Sequence, residues 1–139
     1  MVSKSLTTRS WTVVSLTVLL TATLFAPWAA SGSRARSGWA LAMSARRLGV
    51  GDSAVVGWML IGFLVIPLLA AGAWVLASTH RLRLALAPCA VAIPIAAASA
   101  VIVVASPLDT RLGVWLNLSI GAVDAAAILW ALSSSRHNK

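Results

Sequence analysis

The sequence predicts an all-α integral membrane protein, a single domain built as a bundle of four transmembrane helices. Of the 139 residues, 60% are hydrophobic and only 10% are charged, whereas a soluble domain carries about a quarter charged residues. The apolar residues also fall into four stretches, each close to the roughly 20 residues that a helix needs to cross a bilayer. These stretches cover about 11–30, 54–77, 84–105 and 112–132.

Tryptophan pairs bracket three of these four stretches. The pairs are Trp11 with Trp28, Trp58 with Trp74, and Trp115 with Trp130. At about 1.5 Å per helical residue, the members of each pair lie roughly 22–26 Å apart, which is close to the thickness of the hydrocarbon core. Indole rings prefer the headgroup level, so the tryptophans are expected to mark where three helices enter and leave the membrane.

The first stretch is the one whose role is most open, because it is rich in hydroxyl groups. A helix can hold these groups, since each hydroxyl can bond to a carbonyl one turn earlier. A signal peptide cleaved after Ser31 is the alternative, because Ala29 and Ser31 are small residues at a suitable spacing. The apolar run is long for a signal peptide and Trp28 fits an interface anchor, so we favour a membrane helix.

A long basic loop, residues 31–53, separates the first stretch from the second. It contains the apolar run Trp39–Met43, followed by Arg46, Arg47 and Leu48. This part can form a short interfacial helix, with its apolar side in the membrane and its arginines in the headgroups. An irregular loop in which only Trp39 enters the interface fits the sequence equally well.

Small residues recur at helical spacing in the third and fourth stretches. Ala92, Ala96 and Ala100 occur at every fourth position of the third stretch. In the fourth stretch, one face carries Gly113, Asn117, Gly121 and Asp124. Such stripes allow helices to approach closely in a membrane, so we expect both of them to be contact surfaces, including surfaces for a partner protein.

The net charge of +8 comes almost entirely from arginine. In a soluble protein this charge would indicate nucleic acid, but here the basic residues flank apolar stretches, where they orient the helices and meet anionic lipid headgroups. We therefore expect the lipid bilayer as a partner and no nucleic acid.

Basic residues on the two sides of the predicted bundle are nearly balanced. The side of the termini carries Lys4, Arg9, Arg81, Arg83, Arg136 and Lys139, and the other side carries Arg34, Arg36, Arg46, Arg47 and Arg111. The first helix usually dominates orientation, so we expect cytoplasmic termini in the cell (inner) membrane. A balance this close also permits insertion in both orientations.

Asp124 stands out because, with Cys89, it is one of only two ionisable residues inside the four stretches. It lies about two residues past the middle of its stretch, where inserting an aspartate costs roughly 2.5–3.5 kcal/mol. Apolar surroundings favour the neutral form of the carboxyl group. Asp124 is therefore expected to point into the bundle and away from lipid.

Helical rise predicts which polar groups lie at the depth of Asp124. When depth is counted from the centre of each stretch, Thr17 in the first stretch lies within about 2 Å of the depth of Asp124 in the fourth. Thr21 lies on the same face of the first stretch as Thr17. By the same count, Ser99 matches Asn117. The candidate site is therefore Asp124, Asn117, Thr17, Thr21 and Ser99. Three interpretations stay open. The first is a static network in which a neutral Asp124 donates to Thr17 or Thr21 and Ser99 bonds to Asn117. The second is a docking point for a basic or polar residue of a partner helix, and the third is a proton- or cation-coupled pathway.

The sequence gives no indication of an enzyme, a metal site or a cofactor. The two histidines, His80 and His137, are far apart and outside the apolar stretches, and a single cysteine cannot form an internal disulfide. There is also no glycine-rich phosphate loop that contains lysine. We therefore expect a protein that is not an enzyme and that uses no cofactor or metal.

The segment from Ala26 to Trp39, Ala-Pro-Trp-Ala-Ala-Ser-Gly-Ser-Arg-Ala-Arg-Ser-Gly-Trp, resembles a signature of small, uncharacterised actinobacterial four-span membrane proteins. The resemblance implies a cell-membrane location and no known activity. The function we expect is structural: an accessory subunit or scaffold that assembles with a partner membrane protein or with itself. The alternative is a small oligomeric proton- or cation-coupled transporter or channel that uses Asp124.

Overall fold

The computed structural model describes residues 4–31, 34–49, 53–105 and 109–133. Five helices account for 84% of the structure, and three short strands form one small sheet. The helices are α1 (Lys4–Thr23), α2 (Gly38–Leu48), α3 (Ser53–Ser78), α4 (Leu82–Val104) and α5 (Leu112–Ser133). The strands are β1 (Pro27–Ser31), β2 (Arg34–Ser37) and β3 (Asp109–Thr110). His137 and the basic residues of the C-terminal tail lie outside the described residues.

Three of the helices, α3, α4 and α5, are long and apolar enough to cross a membrane, with mean hydropathies of 2.4, 2.3 and 1.7. Their bounds lie within two residues of the predicted stretches 54–77, 84–105 and 112–132. The chain is therefore a multi-pass membrane protein. The positions of the second, third and fourth predicted helices are confirmed.

The predicted bounds of the first helix, 11–30, are wrong. Helix α1 begins at Lys4 and ends at Thr23, and Pro27–Ser31 is a strand. The amides of Leu24, Phe25 and Ala26 each bond to a carbonyl three residues earlier, which tightens the end of the helix into a turn. Pro27 then holds its preceding residue away from helical geometry, and the chain continues extended.

The sheet links the end of α1 to the beginning of α5. Strand β1 lies in the centre, between β2 and β3, and both pairings are antiparallel. Ala29 pairs with Arg36 on one side and with Thr110 on the other. The sheet continues into one further backbone bond, which the amide of Arg111 donates to the carbonyl of Trp28 at 2.8 Å.

The predicted basic loop, 31–53, contains strand β2 and helix α2. Ser37 caps the start of α2, because its side chain accepts a hydrogen bond from the amide of Ala40 at 3.3 Å. Gly49 ends the helix in the left-handed conformation, with φ at 60°, and its amide bonds to the carbonyl of Ala45. We call the sheet and α2 together the cap.

The long helices pack as antiparallel neighbours. Helices α3 and α4 form the closest pair and are joined by a tight turn at 79–81. Helices α1 and α5 also run antiparallel, because Thr17 contacts Asp124 whereas Thr23, further along α1, contacts Asn117, which precedes Asp124 on α5.

Both small-residue stripes face the interior of this bundle. Ala92, Ala96 and Ala100 are buried within the chain, as is the glycine and polar stripe of α5. Their role as surfaces for a partner protein is therefore wrong: these residues allow close packing among the helices of the chain itself.

Candidate functional site

Four threonine hydroxyl groups of α1 bond to the backbone of the same helix. Thr12, Thr17 and Thr21 each donate to the carbonyl four residues earlier, at 3.0, 3.1 and 3.1 Å. Thr23 donates to the carbonyl of Leu20 at 2.7 Å. This arrangement explains how a helix with so many threonines can pack inside an apolar bundle, because the hydroxyl protons have acceptors within the helix.

Thr17 and Asp124 meet at the centre of the bundle. The Oγ1 atom of Thr17 lies 2.8 Å from Oδ2 of Asp124, and both residues are 0% exposed. Of the two threonines expected near Asp124, the structure pairs Thr17 with it, whereas the hydroxyl of Thr21 bonds to the carbonyl of Thr17. Cys89 of α4 lies beside this pair and is also fully buried.

The hydrogen-bond count at Thr17 bears on the protonation of Asp124. One hydroxyl proton faces two acceptors, the carbonyl of Val13 at 3.1 Å and the carboxyl of Asp124 at 2.8 Å. Thr17 can donate to only one of them at a time. Both contacts are hydrogen bonds only if Asp124 carries a proton and donates it to Thr17 while Thr17 donates to Val13.

Asn117 lies further along the same face of α5 and bonds to the end of α1. Its Nδ2 atom donates to Oγ1 of Thr23 at 2.8 Å. The predicted bond between Ser99 and Asn117 is wrong, because Ser99 donates to the carbonyl of Ile95 at 3.0 Å. The Oγ atom of Ser99 would lie 3.6 Å from a methyl group added at Gly62, so Ser99 faces α3.

Apolar contacts separate the two polar pairs. Between them, Leu20 of α1 packs over Gly121 of α5, where an added methyl group would lie 3.9 Å from the leucine side chain. One oxygen in each pair, Oδ1 of Asp124 and Oδ1 of Asn117, is buried without a hydrogen-bond partner in the described structure. The site can hold a proton at Asp124, and the described residues offer it no continuous polar route along the α1–α5 seam.

Trp28 was predicted to anchor the first helix at the membrane interface, and this prediction is wrong. The residue lies at the junction between the bundle and the cap. It is 0% exposed and is not an interface anchor. Its indole nitrogen donates to the carbonyl of Thr23 at 2.7 Å, which gives this carbonyl a second donor beside the amide of Ala26. Its ring packs edge-on against Phe63 of α3, with centroids 5.5 Å apart.

Two glycines make room for the ring of Trp28. A methyl group added at Gly113 would lie 2.5 Å from the carbonyl oxygen of Pro27 and 2.7 Å from the indole ring. One added at Gly38 would lie 2.9 Å from the ring. The sequence signal for the buried position of Trp28 was Pro27, which disfavours helical geometry at the residue before it, so that the helix ends before Trp28.

The other bracketing tryptophans are on the surface. Trp58 and Trp74 of α3, and Trp115 and Trp130 of α5, are all exposed, as expected of side chains that face headgroups. Trp11 of α1 packs edge-on against Trp74, with centroids 5.2 Å apart.

The fold and the seam together define a helical multi-pass membrane protein with a buried aspartate–threonine pair. No protein-family model matches the sequence, and neither a curated protein nor a solved structure shows significant similarity to it. Within the described residues there is also no group of three or more His, Cys, Asp or Glu side chains that could hold a metal ion. The functional argument therefore depends on the geometry of this chain alone.

Proposed function

We propose that α1 is a fourth transmembrane helix, antiparallel to α5. Four of its threonine hydroxyls bond to its own carbonyls, which lowers the cost of placing them in an apolar layer. It also follows α5 from Arg9, whose guanidinium lies 4.1 Å from the ring centre of Trp130, to Thr23 at Asn117. Those 14 helical steps from Arg9 to Thr23 correspond to about 21 Å, most of the thickness of the hydrocarbon core.

We infer that this four-helix bundle is a structural module, an accessory subunit or scaffold of a membrane complex, and not an enzyme. The observation that carries this inference is the burial of the Asp124–Thr17 pair at 0% exposure. A charged or polar group that acts on a substrate needs access to it, whereas a sealed pair of this kind fixes the register of two helices. Because Asp124 is fully buried within the chain, a partner helix could not contact it without a rearrangement of the bundle.

The proposed location is the cell (inner) membrane, with the termini in the cytoplasm and the cap on the other side. The support is the pair Lys4 and Arg9 at the start of α1, since the first helix usually dominates orientation. A cysteine-accessibility scan tests this topology: a single cysteine introduced at the exposed Arg34 should react with an impermeant maleimide from outside the cell, and one at the exposed Arg83 should not. The native Cys89 is buried, and Cys89→Ala removes it from the assay.

Purification of the tagged full chain from its native membrane in mild detergent tests the structural role. We expect a partner membrane protein in fixed stoichiometry, whereas a homo-oligomer alone would favour the transport alternative. The matched variants are Asp124→Asn, which keeps a hydrogen-bonding group opposite Thr17, and Asp124→Leu, which removes it. If the role of Asp124 is structural, the Asn variant should assemble normally and the Leu variant should assemble poorly.

The alternative is a small oligomeric transporter or channel that moves protons or cations through Asp124. The observation in its favour is the buried, unpartnered Oδ1 of Asp124, which leaves an acceptor free for a proton or a water molecule. Proton flux into liposomes separates the two functions. Flux in the wild-type protein that Asp124→Asn abolishes, with unchanged assembly, would establish transport and overturn the structural role.

A further inference from the structure

The outward face of α1 carries hydroxyl groups where the other long helices carry apolar side chains. Thr8, Thr12 and Ser15 are exposed on this face, and Ser15 lies only two residues from Thr17 at the centre of the bundle. Away from the helix ends, the described residues of α3, α4 and α5 expose a single hydroxyl side chain, that of Ser119. Acyl chains offer a hydroxyl group no hydrogen-bond partner, so this face of α1 is better suited to a protein neighbour than to lipid.

These hydroxyls belong to a row of exposed residues that are alternately four and three positions apart. We call the row the α1 seam, and it consists of Thr8, Thr12, Ser15, Leu19 and Ala22. At about 100° per helical residue, each of them lies about 140–180° around the helix from Thr17, so the seam faces directly away from Asp124. Two parallel helices pack along a row with this spacing in a coiled coil. The seam is about 21 Å long, which is most of the thickness of the hydrocarbon core.

The small side chains of the seam leave a groove in the surface of α1. Its volume is about 600 Å³, and the larger side chains of Trp11 and Leu16 flank it. All of the residues that line the groove belong to α1, whereas a cavity within the bundle would be lined by several helices. A groove along a single helix accepts the side-chain ridge of a neighbouring helix, and small or hydroxyl-bearing residues are typical of such contacts in membranes.

Ser15 is the residue of the seam whose hydroxyl needs an outside partner. Thr12 donates its proton to the carbonyl of Thr8 at 3.0 Å, so its hydroxyl is satisfied within the helix. The hydroxyl of Ser15 has no hydrogen-bond partner among the described residues. Because a hydroxyl group is both a donor and an acceptor, a serine can bond to an identical serine. The polar centre of the seam is therefore complementary to itself.

Charge does not oppose the pairing of two such faces. The seam contains no charged residue. Arg9 lies beside it, but its guanidinium is held 4.1 Å from the ring centre of Trp130 on the side of α5. The positive charges of two facing copies are therefore kept away from the line of contact.

We propose that two copies of this chain pair through the α1 seam as a parallel dimer, with the two-fold axis along the membrane normal. Each residue of the seam then lies opposite its own copy, and the hydroxyl of Ser15 in one copy donates to that of Ser15 in the other. The dimer rests on the proposed transmembrane position of α1. It goes beyond the accessory role, since an accessory subunit can enter its complex as a single chain or as a pair.

Disulfide cross-linking in the native membrane tests the geometry. In the Cys89→Ala background, the Ser15→Cys variant should form a disulfide-linked dimer when an oxidant is added, because the two-fold axis brings the two thiols together. Ser119→Cys is the matched control, since Ser119 is an exposed serine on the outer face of α5, and this variant should stay monomeric. Equal cross-linking at the two positions, or none at position 15, would overturn the proposal.

Energy transfer between labelled copies of the purified full chain, diluted stepwise in liposomes, measures the strength of pairing. Ser15→Leu fills the groove and should weaken pairing on the order of a hundredfold. Ser15→Ala keeps the groove but removes the hydrogen bond, and should weaken pairing roughly threefold. Ser119→Leu, the same change on α5, should pair as the wild type does. A wild-type chain that stays monomeric, or a Ser15→Leu variant that pairs normally, would contradict the dimer.

Failure of the dimer can be distinguished from failure of the proposed functions. If α1 lay outside the membrane, an impermeant maleimide would label the Ser15→Cys variant, whereas a protected cysteine that does not cross-link overturns the dimer alone. A dimer that co-purifies with no other protein would support the seam and count against the accessory role. A monomer bound to a partner protein, and released from it by Ser15→Leu, would assign the seam to a partner helix and overturn the pairing of two copies.

Discussion

The junction at Trp28 and the opposite end of the bundle are built in different ways. At the cap end, Trp28 is fully buried between two glycines, and its indole N–H bonds to the last carbonyl of α1. At the other end, Trp74 and Trp130 are exposed, and their rings contact Trp11 and Arg9. The aromatic contacts of the cap end are therefore buried, whereas those of the opposite end lie at the surface, over a buried cluster of smaller side chains that includes Ala77, Leu82 and Ala131.

This difference has a consequence for how the protein responds to change. A buried ring that fills a seat cannot be removed without leaving a cavity. An exposed ring at a headgroup level has lipid or detergent as an alternative partner. We expect the cap junction to be the more sensitive end of the molecule, and four substitutions test that expectation.

The largest effect is expected for Trp28→Ala, which empties the seat between Gly38 and Gly113. Truncation of a buried tryptophan costs about 3–5 kcal/mol, and it also leaves the carbonyl of Thr23 without its indole donor. Trp58→Ala is the matched control, because Trp58 is 71% exposed, and it should change stability by less than about 0.5 kcal/mol. Chemical unfolding in mild detergent measures both, and similar losses would contradict the assignment of Trp28 to the core.

The next effect is expected for Gly113→Ala, which fills the same seat from the side of α5. The added methyl group would lie 2.5 Å from the carbonyl oxygen of Pro27, and forcing an extra methyl group into packed surroundings costs about 1–3 kcal/mol. Gly72→Ala is the control, since nothing lies within 4 Å of its added methyl group. There the better helix propensity of alanine should raise stability by up to about 1 kcal/mol. Opposite signs are the expected result, and destabilisation by both would contradict the argument.

The long apolar helices could be predicted from the sequence because their apolar runs are long enough to span a membrane despite the prolines inside them, Pro67, Pro88 and Pro94. Helices α3, α4 and α5 lie almost where the apolar stretches are. The end of α1 could not be placed in this way. A count of apolar residues includes Trp28 and Ala29 in the helix, whereas Pro27 and the turn after Thr23 end it earlier.

The polar contacts show what depth alone can and cannot predict. Equal depth on antiparallel neighbours was enough to pair Thr17 with Asp124. The same argument paired Ser99 with Asn117 wrongly, because depth does not determine how a helix is rotated about its axis. Ser99 faces α3 at Gly62, and sequence spacing within one helix gives no information on which neighbour occupies that side.

The pairing of Thr17 with Asp124 leads to a smaller predicted effect, for Thr17→Val. Valine has nearly the same shape, so the change removes the hydrogen bond with little change in packing. Bonds of this kind between membrane helices contribute about 0.6 kcal/mol on average, and up to about 1.7 kcal/mol. Thr12→Val is the control, because its hydroxyl is exposed and bonds to the backbone of its own helix. If Thr17→Val were no more destabilising than Thr12→Val, the seam would not depend on the bond to Asp124.

The smallest effect is expected at the end opposite the cap, for Arg9→Gln. The guanidinium lies 4.1 Å from the ring centre of Trp130, and a cation–π contact at an accessible site contributes about 0.5–1 kcal/mol. Arg83→Gln removes the same charge from the same end without an aromatic partner and should change stability less. A double-mutant cycle of Arg9→Gln with Trp130→Leu isolates the contact from the change in net charge. A coupling energy near zero would mean that α1 and α5 are held together at this end by apolar packing alone.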